Sequence, residues 1–238
     1  MTDENASHVT YELDGDVAVI RIDDGKANAL SHAVIDSIEA FLHKAQGEAK
    51  AVVLVGREGK FSAGFDLATM TAGPEQAIGL LKAGIELAHS VYLSPIPVVV
   101  AATGHGLAMG AILLMAADLR IGAEGPYKIG MNEVRIGMPV PRSALAFAEN
   151  RLARTELVES IQLAKVYDPA GAVTAGFLDQ VVPLDEVEST ARAAATDLAA
   201  ALHPTAFKLT REYLRQETAD KILAGLDLDA GSFVVNTD

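Results

Sequence analysis

The stretches "AVVLV" (51–55) and "PVVVAAT" (97–103) constrain the fold most, because neither offers a polar face before the closing threonine. A strand of that kind has to be covered on both sides, so each is read as buried. Helical spacing surrounds them. Ser31 can cap a helix whose apolar positions are Val34, Ile35, Ile38, Phe41 and Leu42. Pro74 opens a second, with Ile78, Leu81, Ile85 and Ala88 inward, ending before Ser94-Pro95. "YELDGDVAVIRID" carries a hairpin signal at Asp14-Gly15. A helix is expected through "GAILLMAA", and strands at "DLRIG", "YKIG" and "QVVP". From Leu184 the pattern is helical, broken at His203-Pro204, after which Phe207, Arg211 and Leu214 begin a new face. The expectation is an α/β core over residues 1–183 with a helical region over 184–238, both in one unit.

Half of the residues are hydrophobic, enough for a sizeable core and against disorder. A formal charge of −13 repels phosphate backbones, which disfavours nucleic-acid binding but leaves room for a small anion held by local cations. With no cysteine, disulfides, thiolate metal sites and cysteine nucleophiles are excluded together. The acidic start "MTDENASHV" does not look like a targeting peptide, and the greasy run Leu107 to Ala117 is too short to span a bilayer. A cytoplasmic protein without membrane or nucleic-acid partners is expected.

The glycine-studded "GHGLAMG" (104–110) follows a strand and opens a helix, but a dinucleotide fingerprint would need glycine at 109, where Met109 stands. Either a structural turn or a backbone anion site remains. "GKFSAGFDL" (59–67) fails as a nucleophile elbow because Lys60 replaces the first glycine, so Ser62 is read as structural and Asp66 as a helix cap. The six histidines are scattered without ligand spacing, so no metal site is expected; His105, inside the glycine turn, is read as structural or pocket-lining. "YKIGMNEVRIGMPVP" (127–141) holds one carboxylate, Glu133, among Ile129, Met131, Val134, Ile136 and Met138. Taken alone, Glu133 is a solvated acid paired with Arg135.

"FSAGFDL", "GHGLAMGAILLMAADLRI" and "YKIGMNEVRIGMP", in that order, resemble the crotonase (enoyl-CoA hydratase/isomerase) superfamily, and "KANALS" and "AGFLDQVVP" resemble its flanking segments. The resemblance runs from about Val9 to Arg215. It implies a crotonase-like superhelix of repeated ββα turns with a C-terminal helical oligomerisation region, assembled as a homotrimer or dimer of trimers. Phe207, Leu214, Ile222 and Leu226 give that region an apolar face expected to need a partner surface. The substrate implied is an acyl-CoA thioester, with coenzyme A as part of it and no further cofactor.

Carried over by position, the backbone N–H groups of Phe65 and Met109 would bind the thioester oxygen. Gly64, Gly106 and Gly110 would give the acyl-CoA access to the backbone. Lys26, Ala27, Asn28, Ala29 and Leu30, with Ala63, Gly64, Asp66 and Leu67, would border the CoA, and Lys26 and Lys60 are the candidates for its phosphates. Glu133 matches one of two hydratase glutamates, whereas the other position is Ile112. One acid in an apolar pocket carries a proton between carbons more readily than it orients water. The expectation is therefore a delta-3,delta-2-enoyl-CoA isomerase, with a hydratase or a silent acyl-CoA-binding homologue as alternatives.

Overall fold

The apolar runs become parallel strands because the chain supplies a helix for each face. The computed structural model describes residues 8–231. Strands β1 (Val9–Asp14) and β2 (Val17–Ile22) form the expected antiparallel hairpin, turned at Gly15 with φ +58°. The chain then repeats one pattern. A strand enters a large sheet, a shorter one leaves it, and a helix returns. After β2 come β3 (Ala29–Leu30) and α1 (His32–Glu48), capped by Ser31. Next are β4 (Ala51–Val55), β5 (Gly59–Ser62), β6 (Gly64–Phe65), α2 (Leu67–Thr71) and α3 (Pro74–Tyr92). The third repeat is β7 (Val98–Ala102), β8 (Gly104–Leu107) and α4 (Met109–Ala116). The fourth is β9 (Leu119–Ala123), β10 (Ile129–Gly130), a 3₁₀ turn at Glu133–Ile136 and α5 (Arg142–Arg151). The chain closes with α6 (Pro169–Ala175), β11 (Gln180–Val182), α7 (Val187–Ala201) and α8 (Pro204–Ala230).

The large sheet has the order β1-β2-β4-β7-β9-β11, parallel from β2 onward. The short strands form β10-β8-β5 and β3-β6. Along β4, Val52 and Leu54 join the core beneath α1, α3 and α4, while Ala51, Val53 and Val55 face Ala191, Ala195 and Ala199 of α7. Alanines four apart let α7 lie close on the sheet. Within the helical stretch expected from residue 184, α7 covers one face of the core.

The apolar face assigned to the tail is corrected. Ile222 and Leu226 are buried in this chain's own core, Phe207 is half-buried, and Leu214, 73% exposed, faces outward as expected. Arg211 points inward rather than beginning a surface face. Its guanidinium meets Asp118 Oδ2 at 2.5 Å and the Ser94 carbonyl at 2.6 Å. Arg215 reaches Asp118 Oδ1 at 2.7 Å and the Tyr92 carbonyl at 2.7 Å. At the far end of α8, Asp229 accepts from the Arg142 and Ser143 N–H groups (2.9 and 3.0 Å), which caps α5. Helix α8 is therefore fixed to its own chain at both ends.

Asp118→Ala would leave Arg211 buried without its counter-charge. It is expected to cost about 3–5 kcal/mol, measured by urea unfolding, since breaking one partner of a buried pair is worse than losing a surface pair.

Candidate active site

Two strand-to-helix turns meet beside one cavity. At the first, Ser62 Oγ donates to Asn28 O (2.8 Å) and accepts from Gly64 N–H (3.1 Å), so Ser62 is structural, as read from sequence. Asp66 N–H donates to Leu30 O at 3.1 Å. Successive N–H groups of a strand point to opposite sides, so the Phe65 N–H is directed away from β3. At the second turn Met109 is the first residue of α4, where the N–H has no partner within the helix. A Cβ built on Gly64 would lie 3.5 Å from that nitrogen and 3.0 Å from Ala108 Cβ, so the two turns are in contact. Two donors beside a helix N-terminus favour developing negative charge.

The cavity has a volume of about 430 Å³ and is lined mainly by apolar groups. Of the residues singled out in the sequence, Ala27, Ala29, Ala63, Phe65, Asp66, Leu67, Ile112 and Glu133 line it. Met70, Leu81, Ala108, Asn132, Ile136, Met138 and Pro141 join them; Ala108, Asn132, Ile136, Met138 and Pro141 fall within the motifs quoted above, without having been assigned a role in the site. Met70 and Leu81 carried only the ordinary signal of a helix's inward face.

Other residues expected at the site lie outside this lining. Asn28 is buried, and its side chain is spent donating to Ile22 O (2.8 Å) and Phe61 O (3.2 Å). It shapes the loop rather than facing a ligand. Leu30 is a core residue. Gly110 serves packing, because a Cβ there would come within 2.6 Å of Ser62 O, and one on Gly106 would press on Leu114 at 3.0 Å. Lys26 is exposed and Lys60 half-buried, both outside the lining. Asp24 holds the Lys26–Ala29 segment by accepting from the Lys26, Asn28 and Ala29 N–H groups at 2.7–3.0 Å. An acid two residues before "KANALS" was the sequence signal for it. His105 accepts from Lys128 N–H at 2.9 Å and lies outside the lining, in a structural role.

The two lining acids differ. Asp66 caps α2, accepting from the Thr69 hydroxyl and N–H at 2.7 and 2.9 Å, and these bonds hold its carboxyl below the usual range. Glu133 is 6% exposed and makes no ion pair among the described residues, so the pairing with Arg135 does not form. Burial pushes its carboxyl up to about 7, partly countered by its own backbone N–H. Its Oε2 and the Asn132 Oδ1 are both buried without a hydrogen-bond partner among the described residues. A carboxyl that titrates near neutrality and has one oxygen unpartnered can take up and return a proton. Among the described residues no cluster of three or more His, Asp or Glu could hold a metal, and no helix is long and apolar enough to cross a membrane.

Residues 12–238 match the family model described as enoyl-CoA hydratase/isomerase. The human mitochondrial enoyl-CoA delta isomerase 1 is 33% identical over 223 residues, covering 92% of this chain and 74% of that protein. Its relative of known structure, human mitochondrial delta3-delta2-enoyl-CoA isomerase, superposes with a TM-score of 0.88, covering 94% and 89% of the two chains. A Mycobacterium tuberculosis protein, called an enoyl-CoA isomerase in one solved structure and a probable enoyl-CoA hydratase in another, superposes with TM-scores of 0.91 and 0.90 at 38% identity, covering 95% and 99% of the two chains in the first. An enoyl-CoA hydratase of Mycobacterium ulcerans does so at 0.90 and 37%, covering 94% and 98%.

The folded Glu133 carboxyl keeps its proton to about pH 7, whereas an ordinary one releases it near 4.5. Between those values the folded state binds more protons, so stability falls as pH rises. Glu133→Gln removes that slope. Its advantage over the wild type is expected to grow by on the order of 3 kcal/mol from about pH 4.5 to about pH 8, read from urea unfolding at each pH. A difference independent of pH would return Glu133 to an ordinary carboxylate.

Proposed function

The chain belongs to the enoyl-CoA hydratase/isomerase family, and on that premise we propose that it converts a 3-enoyl-CoA into the conjugated 2-enoyl-CoA. One observation carries this reading: Glu133 is the lining acid whose carboxyl is not committed to other partners, and it faces a cavity in which Ile112 stands where a second acid would be needed. Glu133 takes a proton from C2. The electron pair spreads over C2, C3 and C4 and onto the thioester oxygen, where the Phe65 and Met109 N–H groups stabilise it. The proton returns from Glu133 to C4, leaving the double bond between C2 and C3. Removing one such N–H donor costs about 3–4 kcal/mol of barrier in related chemistry.

The working form of Glu133 is the carboxylate. Its raised pKa, about 7, makes it a stronger base while leaving roughly half of it ionised at neutral pH. The substrate's carbon chain would lie among Met70, Leu81, Ile136 and Met138, which offer it apolar contact and no competing proton donors.

The assembly proposed is a homotrimer or a pair of trimers. The family resemblance supports it, together with Tyr213 and Leu214 on α8, 82% and 73% exposed. Light scattering at micromolar concentration is expected to give a multiple of 24.9 kDa, and a monomeric mass would overturn the assembly.

The activity test is a panel of 2-enoyl- and 3-enoyl-CoA thioesters followed by product analysis. Isomerisation creates the conjugated enoyl absorbance, while hydration of crotonyl-CoA destroys it. Glu133→Gln is expected to lower turnover of a 3-enoyl-CoA about 10³–10⁴-fold, because one group performs both proton transfers. Calorimetric binding of an unreactive acyl-CoA should change little. In the wild type, kcat/KM should rise with pH through about 7 as the carboxyl ionises. Near-normal turnover in the variant would remove Glu133 from the mechanism. Binding without turnover in both proteins would favour a silent homologue.

A further inference from the structure

We propose that Gly84, in the middle of α3, is the positioning residue that sets both backbone donors at once by leaving room for the Phe65 ring and the Met109 side chain. The proposal rests on the reading of Phe65 and Met109 as the oxyanion donors. A Cβ built on Gly84 would stand 2.4 and 2.6 Å from Cε1 and Cζ of the Phe65 ring and 3.3 Å from Met109 Sδ. Side-chain Cβ contacts shorter than 3.0 Å essentially do not occur, so the ring would have to retreat by about 1 Å. Glycine is the poorest helix former after proline, and this one sits inside a 19-residue helix. The packing of the Phe65 ring accounts for it.

The consequence reaches the reaction centre because both residues present the thioester with main chain and hold that main chain with side chain. The Met109 side chain is fully buried, and the Phe65 ring packs against the same core. One turn before Gly84, Leu81 of the same helix lines the cavity. Helix α3 therefore supplies one wall for the substrate and one brace for the two N–H groups. Moving the ring drags the Phe65 backbone, and a displacement of about 1 Å in a reacting geometry can cost about 10²-fold in rate. No titratable group is involved, so the effect is one of spacing.

The test uses the full chain and three variants: Gly84→Ala, Phe65→Leu, and the two combined. Leucine lacks the two ring atoms that an alanine Cβ would strike. Gly84→Ala is expected to lower kcat about 10–100-fold while KM for a 3-enoyl-CoA changes less than about threefold. The infrared carbonyl stretch of a bound, isotope-labelled saturated acyl-CoA reports the donors directly. It is expected to be lowered in the wild type, less so in Gly84→Ala, and restored in the double variant. The double variant should also turn over at least about fivefold faster than either single one, because the alanine fills the space that the ring vacated. That comparison stands on Phe65→Leu and the double variant even if Gly84→Ala does not fold. A Gly84→Ala protein with unchanged kcat and carbonyl frequency, or a double variant no faster than Phe65→Leu, overturns the proposal. A wild type that does not lower the carbonyl frequency overturns the donor reading itself, and the proposal with it.

Discussion

The chain segments Ser62–Asp66 and Leu107–Gly110 approach so closely that a Cβ at Gly110 would meet Ser62 O at 2.6 Å and one at Gly64 would stand 3.0 Å from Ala108 Cβ. This contact places everything else in the site. It puts the first N–H of α4 beside β6, and it sends Ile112, one turn later, into the cavity wall. It also locates the acid. Ala108 N–H donates to Gly130 O at 3.1 Å, and β10 pairs with β8, so the chain that emerges at Met131, Asn132 and Glu133 is held against the same turn. Ala108 adopts φ +49°, a conformation that costs a non-glycine residue on the order of 1–2 kcal/mol and persists because these bonds fix it on both sides.

Three carboxyls near the site show how environment divides one chemistry into separate roles. Burial works against ionisation of Asp24, but three backbone N–H groups bond to it and hold its carboxyl below the usual range. Asp66 is held low by the Thr69 hydroxyl and N–H. Both are structural anions, and neither is a useful base. Glu133 has burial that its own backbone N–H only partly offsets, which raises its affinity for a proton and destabilises the fold at neutral pH. The sheet, buried on both faces, and α8, fixed through Asp118 and Asp229, provide the stability against which that cost is set.

The alternation of apolar strands with helical periods made the α/β core legible, and helix starts at Ser31, Asp66, Pro74 and Pro204 coincide with their sequence signals because capping is local chemistry. Contacts between distant segments were not legible. Nothing local to Asn28 says that its amide will tie β2 to β5, or that Gly110 will face Ser62. The tail misled for a similar reason. Apolar spacing shows that Ile222 and Leu226 must be covered, but not whether this chain or another covers them. In the site, the matched motifs pointed to Glu133, Phe65 and Ile112 in the cavity, with Asn132 and Met138 in the same stretch as Glu133, whereas Met70 and Leu81 arrive there through folding alone.

The neighbours in structure include proteins called isomerases and hydratases at nearly the same identity, so the distinction has to come from the polar atoms in the cavity. A water poised for addition needs a group to orient it and a group to take its proton, and its own polar partners number about two to four. Here the unpartnered polar atoms are Glu133 Oε2 and Asn132 Oδ1, both acceptors, opposite an isoleucine. An amide oxygen can receive a hydrogen bond from water but cannot accept its proton at neutral pH. Hydration would therefore require Glu133 alone to deprotonate the water and then supply C2, while Asn132 merely held the water in place. Isomerisation asks for less. One proton would leave a carbon and return to another, both transfers would use the same carboxyl, and the apolar side chain of Ile112 offers no competing proton source.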